Sequence, residues 1–270
     1  MNQWIQRGSK SLFPNAFKRV LAATAVASAI LGSSQGAMAE VVSLDQARLI
    51  HIDPKSDFLT KSRQLRNLTD TAVALTDKSL SQKVANQLYS TAVHESGLLN
   101  MRGNLAGSSA RGIFQILSGT AGDIVQRYAS TRPNVMKVLE ESSGMSRKKL
   151  MSLTRAELSN LVKENDLFAA EVSRYKYKMV PAAIPEGIEN QAAYWRKHYH
   201  AGKGAGEVHI KQFKLHNKQF DSGVQREIAR KAKAAAKQKT MGATKVMHNK
   251  KVMHTIKSQA KKLKHLFKVR

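Results

Sequence analysis

The residue with the clearest capacity for chemistry is Glu95. It lies seven residues after Leu88 and three after Ala92, so on a helix it falls on the stripe of Leu80, Val84, Leu88 and Ala92 that should face a core. A carboxyl group there has lost water, which disfavours the anion and raises the pKa. A carboxylic acid still protonated near neutrality can give its proton to the leaving oxygen of a glycosidic bond. Spacing alone leaves a second reading open, a glutamate tolerated at a solvent-exposed helix end. Ser96 follows with a hydroxyl that can serve a substrate or bond its own helix. Gln115 offers both donor and acceptor, to a sugar or to loop backbone.

The neighbouring residues narrow the choice. His94-Glu95-Ser96-Gly97-Leu98, then Gly107-Ser108-Ser109-Ala110-Arg111-Gly112-Ile113-Phe114-Gln115, then Thr120-Ala121 resemble the catalytic core of the soluble lytic transglycosylases, which belong to the lysozyme-like superfamily. The matched positions are Glu95, Ser96, Ala110, Gly112, Gln115, Thr120 and Ala121. The resemblance implies a mostly α-helical, lysozyme-like domain with a cleft. It further implies Glu95 as general acid and then base, Ser96 assisting at the substrate, and Gln115 on the sugar chain. Gly112 would let backbone approach a polysaccharide closely. Where that family often carries Ala-Tyr-Asn-x-Gly, this chain has Ala193-Tyr194-Trp195-Arg196-Lys197-His198-Tyr199-His200-Ala201-Gly202, closer to the aromatic-rich version of phage and secretion-associated relatives. Tyr194, Trp195 and Tyr199 are candidates to stack on sugar faces. Their spacing cannot put all three on one helix face, and Tyr199 is the expected substrate residue.

The carboxylates near Glu95 bear on the outcome of cleavage. A two-carboxylate hydrolase needs a second Asp or Glu, whereas a lytic transglycosylase lets the muramyl 6-hydroxyl attack and closes a 1,6-anhydro ring. No acid stands between Glu95 and Asp123, and Asp123 suits a helix cap. Non-hydrolytic cleavage of the MurNAc-GlcNAc bond is the expectation; a hydrolytic muramidase, with Glu140, Glu141 or Asp166 folded into the cleft, is the alternative. A noncatalytic polyanion-binding envelope or virion protein is the reading from outside the enzyme class. No cofactor and no metal are expected: there is no cysteine, and no acid supports His248, His254 and His265 as ligands.

Helices must position these groups. Periodicity predicts one from Phe58 to about Leu75 and a second that opens on a Ser79-to-Gln82 capping box and stops at Gly97. A Thr120-to-Asp123 capping box predicts a helix through Ala129. Further helical patterns cover Pro133 to Glu141, Ser146 to Met151, Arg155 to Met179 and Glu189 to Tyr199, with no sustained strand alternation.

The remainder of the chain is appendage. Residues 1–19 carry Arg7, Lys10, Lys18 and Arg19 without an acid, 20–32 are apolar, and Ala37-Met38-Ala39 closes a small-residue stretch. That is the order of a signal peptide cleaved before Glu40. The chain then divides into an irregular lead-in over 40–55, the catalytic domain over 56–220 and a basic tail over 221–270. The net charge is +26, and residues 223–270 hold fifteen Lys or Arg against one acid, Glu227. Such a tail attracts polyanions. Expected partners are peptidoglycan glycan strands and, for the tail, anionic envelope polymers or lipid headgroups, with nucleic acid second. The expected location is the periplasm or cell envelope, with secretion or a virion as the alternative.

Overall fold

The computed structural model describes residues 48–97, 110–200 and 206–266, with side chains placed outside 239–249 and 258–266. The proposed signal peptide and its cleavage point lie outside the described residues. The fold is mostly α. Helix α1 spans Phe58–Asp77 and α2 spans Gln82–Glu95. A two-residue antiparallel ladder follows, β1 (Ala110–Arg111) with β2 (Ile116–Leu117), pairing Ala110 with Leu117 and Arg111 with Ile116. Then come α3 (Ser118–Gly122), a π-helical segment over Asp123–Tyr128, α4 (Pro133–Ser143), α5 (Arg147–Ser152), α6 (Arg155–Glu164), α7 (Asp166–Lys178), α8 (Ile188–His198) and the 61-residue α9 (Gly206–Leu266).

Helix α1 packs against α7, α2 and α9, and α9 also packs on α2 and α8. Leu65, Leu68 and Ala72 of α1, Leu88 and Ala92 of α2, and Phe168 and Val172 of α7 are fully buried in the shared core. Burying a side chain of Leu or Phe size contributes about 1.5–3 kcal/mol, so this set carries the fold. Across one end of the α1/α7 contact, Arg174 Nη2 lies 2.8 Å from Asp77 Oδ2 and Lys178 Nζ 2.9 Å from Asp77 Oδ1.

Several local expectations change. The Ser79 capping box does not form: Leu80 is exposed, and α2 starts one residue after Ser81, whose carbonyl accepts from Val84 and Ala85. Thr120 and Asp123 do not open a helix, because α3 already begins at Ser118 and the chain passes into π geometry at Asp123, with the Ala129 N–H on the Ile124 carbonyl at 2.8 Å. The single helix predicted over Arg155 to Met179 is two. Asn165 breaks it by capping α7, its Oδ1 accepting from Phe168 N at 2.9 Å while its Nδ2 donates to the Ser142 carbonyl. The full capping box of the fold is at Thr154 and Glu157, opening α6.

The boundary at 220/221 falls inside α9, which is one continuous helix there. Phe213, Asn217, Phe220 and Val224 are buried at helical spacing, and Asn217 Nδ2 donates to the Ser90 carbonyl of α2 at 3.2 Å. A Cβ on Gly223 would come within 2.8 Å of the Phe58 ring, so close packing on α1 requires glycine. Lys231 Nζ reaches Asp57 Oδ2, the N-cap of α1, at 2.9 Å. Packing against the core thus runs to Val224, with the ion pair at Lys231 beyond it. At the other end, Ile52 is buried and its N–H donates to Asp166 Oδ2 at 3.0 Å, so the segment predicted as lead-in is also held. No described helix is long and apolar enough to cross a membrane.

Candidate active site

Glu95 is the last residue of α2, and the sequence ends the helix there. Gly97 takes φ +58, a left-handed conformation that turns the chain, and its N–H returns to the His94 carbonyl at 3.2 Å. With Leu88 and Ala92 buried on the same stripe, helical spacing sets Glu95 at the rim of the core, half-buried. Trp195 of α8 is fully buried, and its indole Nε1 donates to Glu95 Oε1 at 2.9 Å. Loss of water pushes the Glu95 carboxyl up to about 7, against the indole bond and the positive charge of Lys176, both of which favour the anion. Lys176 is fixed in turn: Nζ donates to the Tyr199 carbonyl at 2.7 Å and sits 3.9 Å from the Tyr199 ring centroid.

Glu95 is not the only carboxyl whose pKa is raised. Glu171, Asp70 and Asp221 are raised by burial too: Glu171 has no exposed surface and Asp70 is 3% exposed, so neither can meet a polymer, while Asp221 is exposed on α9 in the wall of a cavity that does not include Glu95. The acids that sequence left open as a second carboxylate are engaged elsewhere. Glu140 accepts from the Arg147 N–H, Glu141 lies 4.0 Å from Lys137, and Asp166 holds Ile52 N and faces His51. Among the described residues the charge that acts on Glu95 is a cation, Lys176.

The other expected site residues are distributed differently. Ser96 has no exposed surface, and its hydroxyl donates to the Ala92 carbonyl at 2.6 Å, a bond within its own helix. Gln115 lies in the turn between the two short strands at φ +46, with Nε2 donating to the Gly112 carbonyl at 2.9 Å. Its Oε1 is buried and accepts from no described group. Tyr199 does not face a sugar: it is 4% exposed, and its hydroxyl lies 3.0 Å from Ser173 Oγ and donates to the Phe114 carbonyl at 2.9 Å. Tyr194 and Trp195 are buried as well: Tyr194 stacks on Tyr177 of α7 and donates to the Ala182 carbonyl, and Trp195 packs on Phe213 of α9. These aromatics build the wall behind Glu95 rather than a stacking platform.

Gly112 has an internal reason. At φ +69 its backbone passes so near α6 that a Cβ would stand 2.6 Å from the Val162 carbonyl oxygen. The close approach is to the protein's own helix. Sequence reasoning missed Lys176, which sits among Arg174, Tyr175, Tyr177 and Lys178 with nothing to single it out. Residues 98–109, which join Glu95 to the Gln115 turn and hold part of the quoted motif, lie outside the described residues. A cavity of about 790 Å³ between α1, α2, α8 and α9, lined by Arg66, Tyr89, Lys214, Asn217 and Asp221 among others, does not include Glu95 in its walls.

Among the described residues no group of three or more His, Cys, Asp or Glu is arranged to hold a metal. No protein-family model, no curated protein and no solved structure matches the chain.

Proposed function

We propose that the protein is an exported peptidoglycan lytic transglycosylase of lysozyme-like fold in which Glu95 is the single acid/base. Support comes chiefly from one observation: a carboxyl at the rim of the core whose pKa is raised to about 7, beside a cation rather than a second carboxylate. A group with that pKa is half protonated at neutral pH, which suits it to give and to take a proton in one cycle.

In the first step Glu95 protonates the oxygen linking muramic acid C1 to the next sugar, and the C1–O bond breaks through an oxocarbenium-like state. The Glu95 carboxylate then takes the proton of the 6-hydroxyl on the same muramyl ring, and that oxygen bonds to C1. Glu95 ends protonated and no water is consumed. Lys176 and the Trp195 N–H stabilise the transient carboxylate. The basic length of α9 binds anionic envelope polymers by charge.

Mass spectrometry of peptidoglycan digested by the purified protein tests this function. The expected products are 1,6-anhydromuropeptides without reducing ends; reducing ends would make the protein a hydrolase, and undigested strands would remove it from the class.

A further inference from the structure

Five rings run in series behind Glu95. His216 lies 4.8 Å from His94, His94 4.5 Å from Trp195 with their planes at 72°, Trp195 5.1 Å from His200, and His200 4.8 Å from His209. Phe213 packs on the middle of the series, 5.3 Å from His94 and 5.0 Å from Trp195. The rings come from the end of α2, the end of α8 and the residues after it, and the first turns of α9. The indole N–H is the single polar group of the buried Trp195 side chain, and it is the one that meets Glu95. Its direction is therefore set by what packs on the indole. His94 is held against α9 by Phe213 and His216, and its Nδ1 is buried with no partner. Since no group uses that nitrogen, the ring acts by its shape and its place.

We propose that His94 is a positioning residue for Glu95: as a ring wedged between Trp195, Phe213 and His216, it aims the Trp195 N–H at the Glu95 carboxyl and keeps water from it. This rests on the reading of Glu95 as the acid/base. The titratable and charged groups around the stack are His209 and His216 from α9, Arg196 and His200 from α8 and beyond, Lys176 from α7, and Glu95 itself. Apart from Glu95, all are cations or bases that become cations, so a proton on His94 finds no compensating charge. Burial, and after it His216, His200 and His209, push the His94 imidazole down to about 3, which keeps it neutral where Glu95 titrates.

The test uses the full chain carrying His94, His94→Phe or His94→Gln, each with and without Glu95→Gln. Subtracting the pH profile of Tm of each Glu95→Gln partner reads the Glu95 midpoint without any need for activity. Phe keeps a ring and gives up the imidazole nitrogens; Gln keeps a polar group and gives up the ring. His94→Gln is expected to move the midpoint down by about one pH unit or more, to red-shift Trp195 emission as water enters, and to lower kcat about 10-fold with KM little changed. Trp4, the other tryptophan, is common to every variant. His94→Phe is expected to keep the midpoint and emission and to recover most of kcat. A wild-type midpoint in His94→Gln, or a His94→Phe as displaced as His94→Gln, overturns the proposal. Should His94→Gln not fold, His94→Met, apolar but not a ring, takes its place under the same criteria. If even the unaltered chain leaves glycan intact, the acid/base reading fails, while midpoint and emission still decide whether His94 positions the carboxyl.

Discussion

The Trp195 indole nitrogen and Glu95 Oε1 stand 2.9 Å apart although the residues are a hundred positions apart in sequence. That bond and the charge of Lys176 favour a carboxylate, while burial favours the acid, and the balance falls at about 7. A carboxyl so balanced can act in both proton-transfer steps. Glu95→Gln keeps size and accepts the indole bond but removes both transfers. Positioned acid/base groups contribute about 10²–10⁴-fold, and one residue here performs two tasks, so the loss in kcat/KM is expected at about 10⁴-fold or beyond. Release of muropeptides from purified sacculi measures it; a folded, active Glu95→Gln protein would overturn the assignment of Glu95.

The same substitution has a stability consequence with a definite sign. The folded pKa of Glu95, about 7, exceeds the ordinary 4.5, so between these values the folded state holds the extra proton and stability falls as pH rises. Below pH 4.5 both states are protonated and the carboxyl costs nothing. Glu95→Gln should therefore match the parent in thermal unfolding at pH 4 and exceed it at pH 8, by about 3 kcal/mol as an upper bound. His94 acts in the opposite sense. Its folded pKa lies below the ordinary 6.5, so its contribution grows as pH rises from about 3 to 6.5, and it is common to both proteins.

Trp195→Phe removes the indole bond and keeps an aromatic ring, although the smaller phenyl leaves a cavity where the fully buried indole stood. The donor that favours the carboxylate is then gone, so the Glu95 pKa should rise above 7. The alkaline limb of the kcat/KM profile moves to higher pH, and kcat at neutrality drops by about 10-fold because the carboxylate formed in the first step has lost the indole donor that stabilises it. An unmoved limb would mean that the indole bond has no part in setting the titration.

What sequence could and could not specify follows from where each constraint originates. Glu95 was legible because Leu88 and Ala92 are local: three positions on one helix define a face without knowledge of a partner. The surroundings of Tyr194, Trp195 and Tyr199 were not, because Trp195 meets Phe213 of α9, a helix of which only the part after residue 220 was read, as a tail, while Tyr194 and Tyr199 meet Tyr177 of α7. The buried stripe of α9, Phe213, Asn217, Phe220 and Val224, is interrupted by a polar residue whose amide serves the Ser90 carbonyl. The stripe also lies among lysines and histidines that dominate the composition. The break at Asn165 had a signal, an Asn three residues before Phe168, but the helical period on either side was in phase and hid it. Gly112 was picked out correctly as a point of close approach, while the object approached, the Val162 carbonyl, was a matter of tertiary packing.

Gly112→Ala tests that packing. The substitution adds a Cβ 2.6 Å from a backbone oxygen at a residue with φ +69, so neither the neighbour nor the backbone can yield cheaply. Strain at such positions costs about 1–3 kcal/mol before any clash is counted. Thermal unfolding is expected to drop by several degrees, with the Gln115 turn displaced and activity falling with it. A variant as stable as the parent would show that the turn is not pressed against α6.

The length of α9 yields the last prediction. Truncation after Lys231 keeps Phe213, Phe220, Val224 and the Lys231–Asp57 pair, and it removes 39 residues rich in lysine. The shortened protein should unfold at nearly the parent temperature and turn over soluble glycan fragments at nearly the parent rate. Binding to whole sacculi should weaken, with the largest deficit at low salt, where the lost attraction between tail and polyanion is least screened. Truncation after Lys218 is a different experiment. It removes Phe220 and Val224 from the core, and loss of a buried Phe alone costs about 3–5 kcal/mol, so the protein should unfold or aggregate. Equal stability of the two truncations would place the domain boundary before Phe220. If instead removal of residues 232–270 abolished cleavage of short fragments while Tm stayed unchanged, the basic helix would belong to the reaction rather than to retention on the wall.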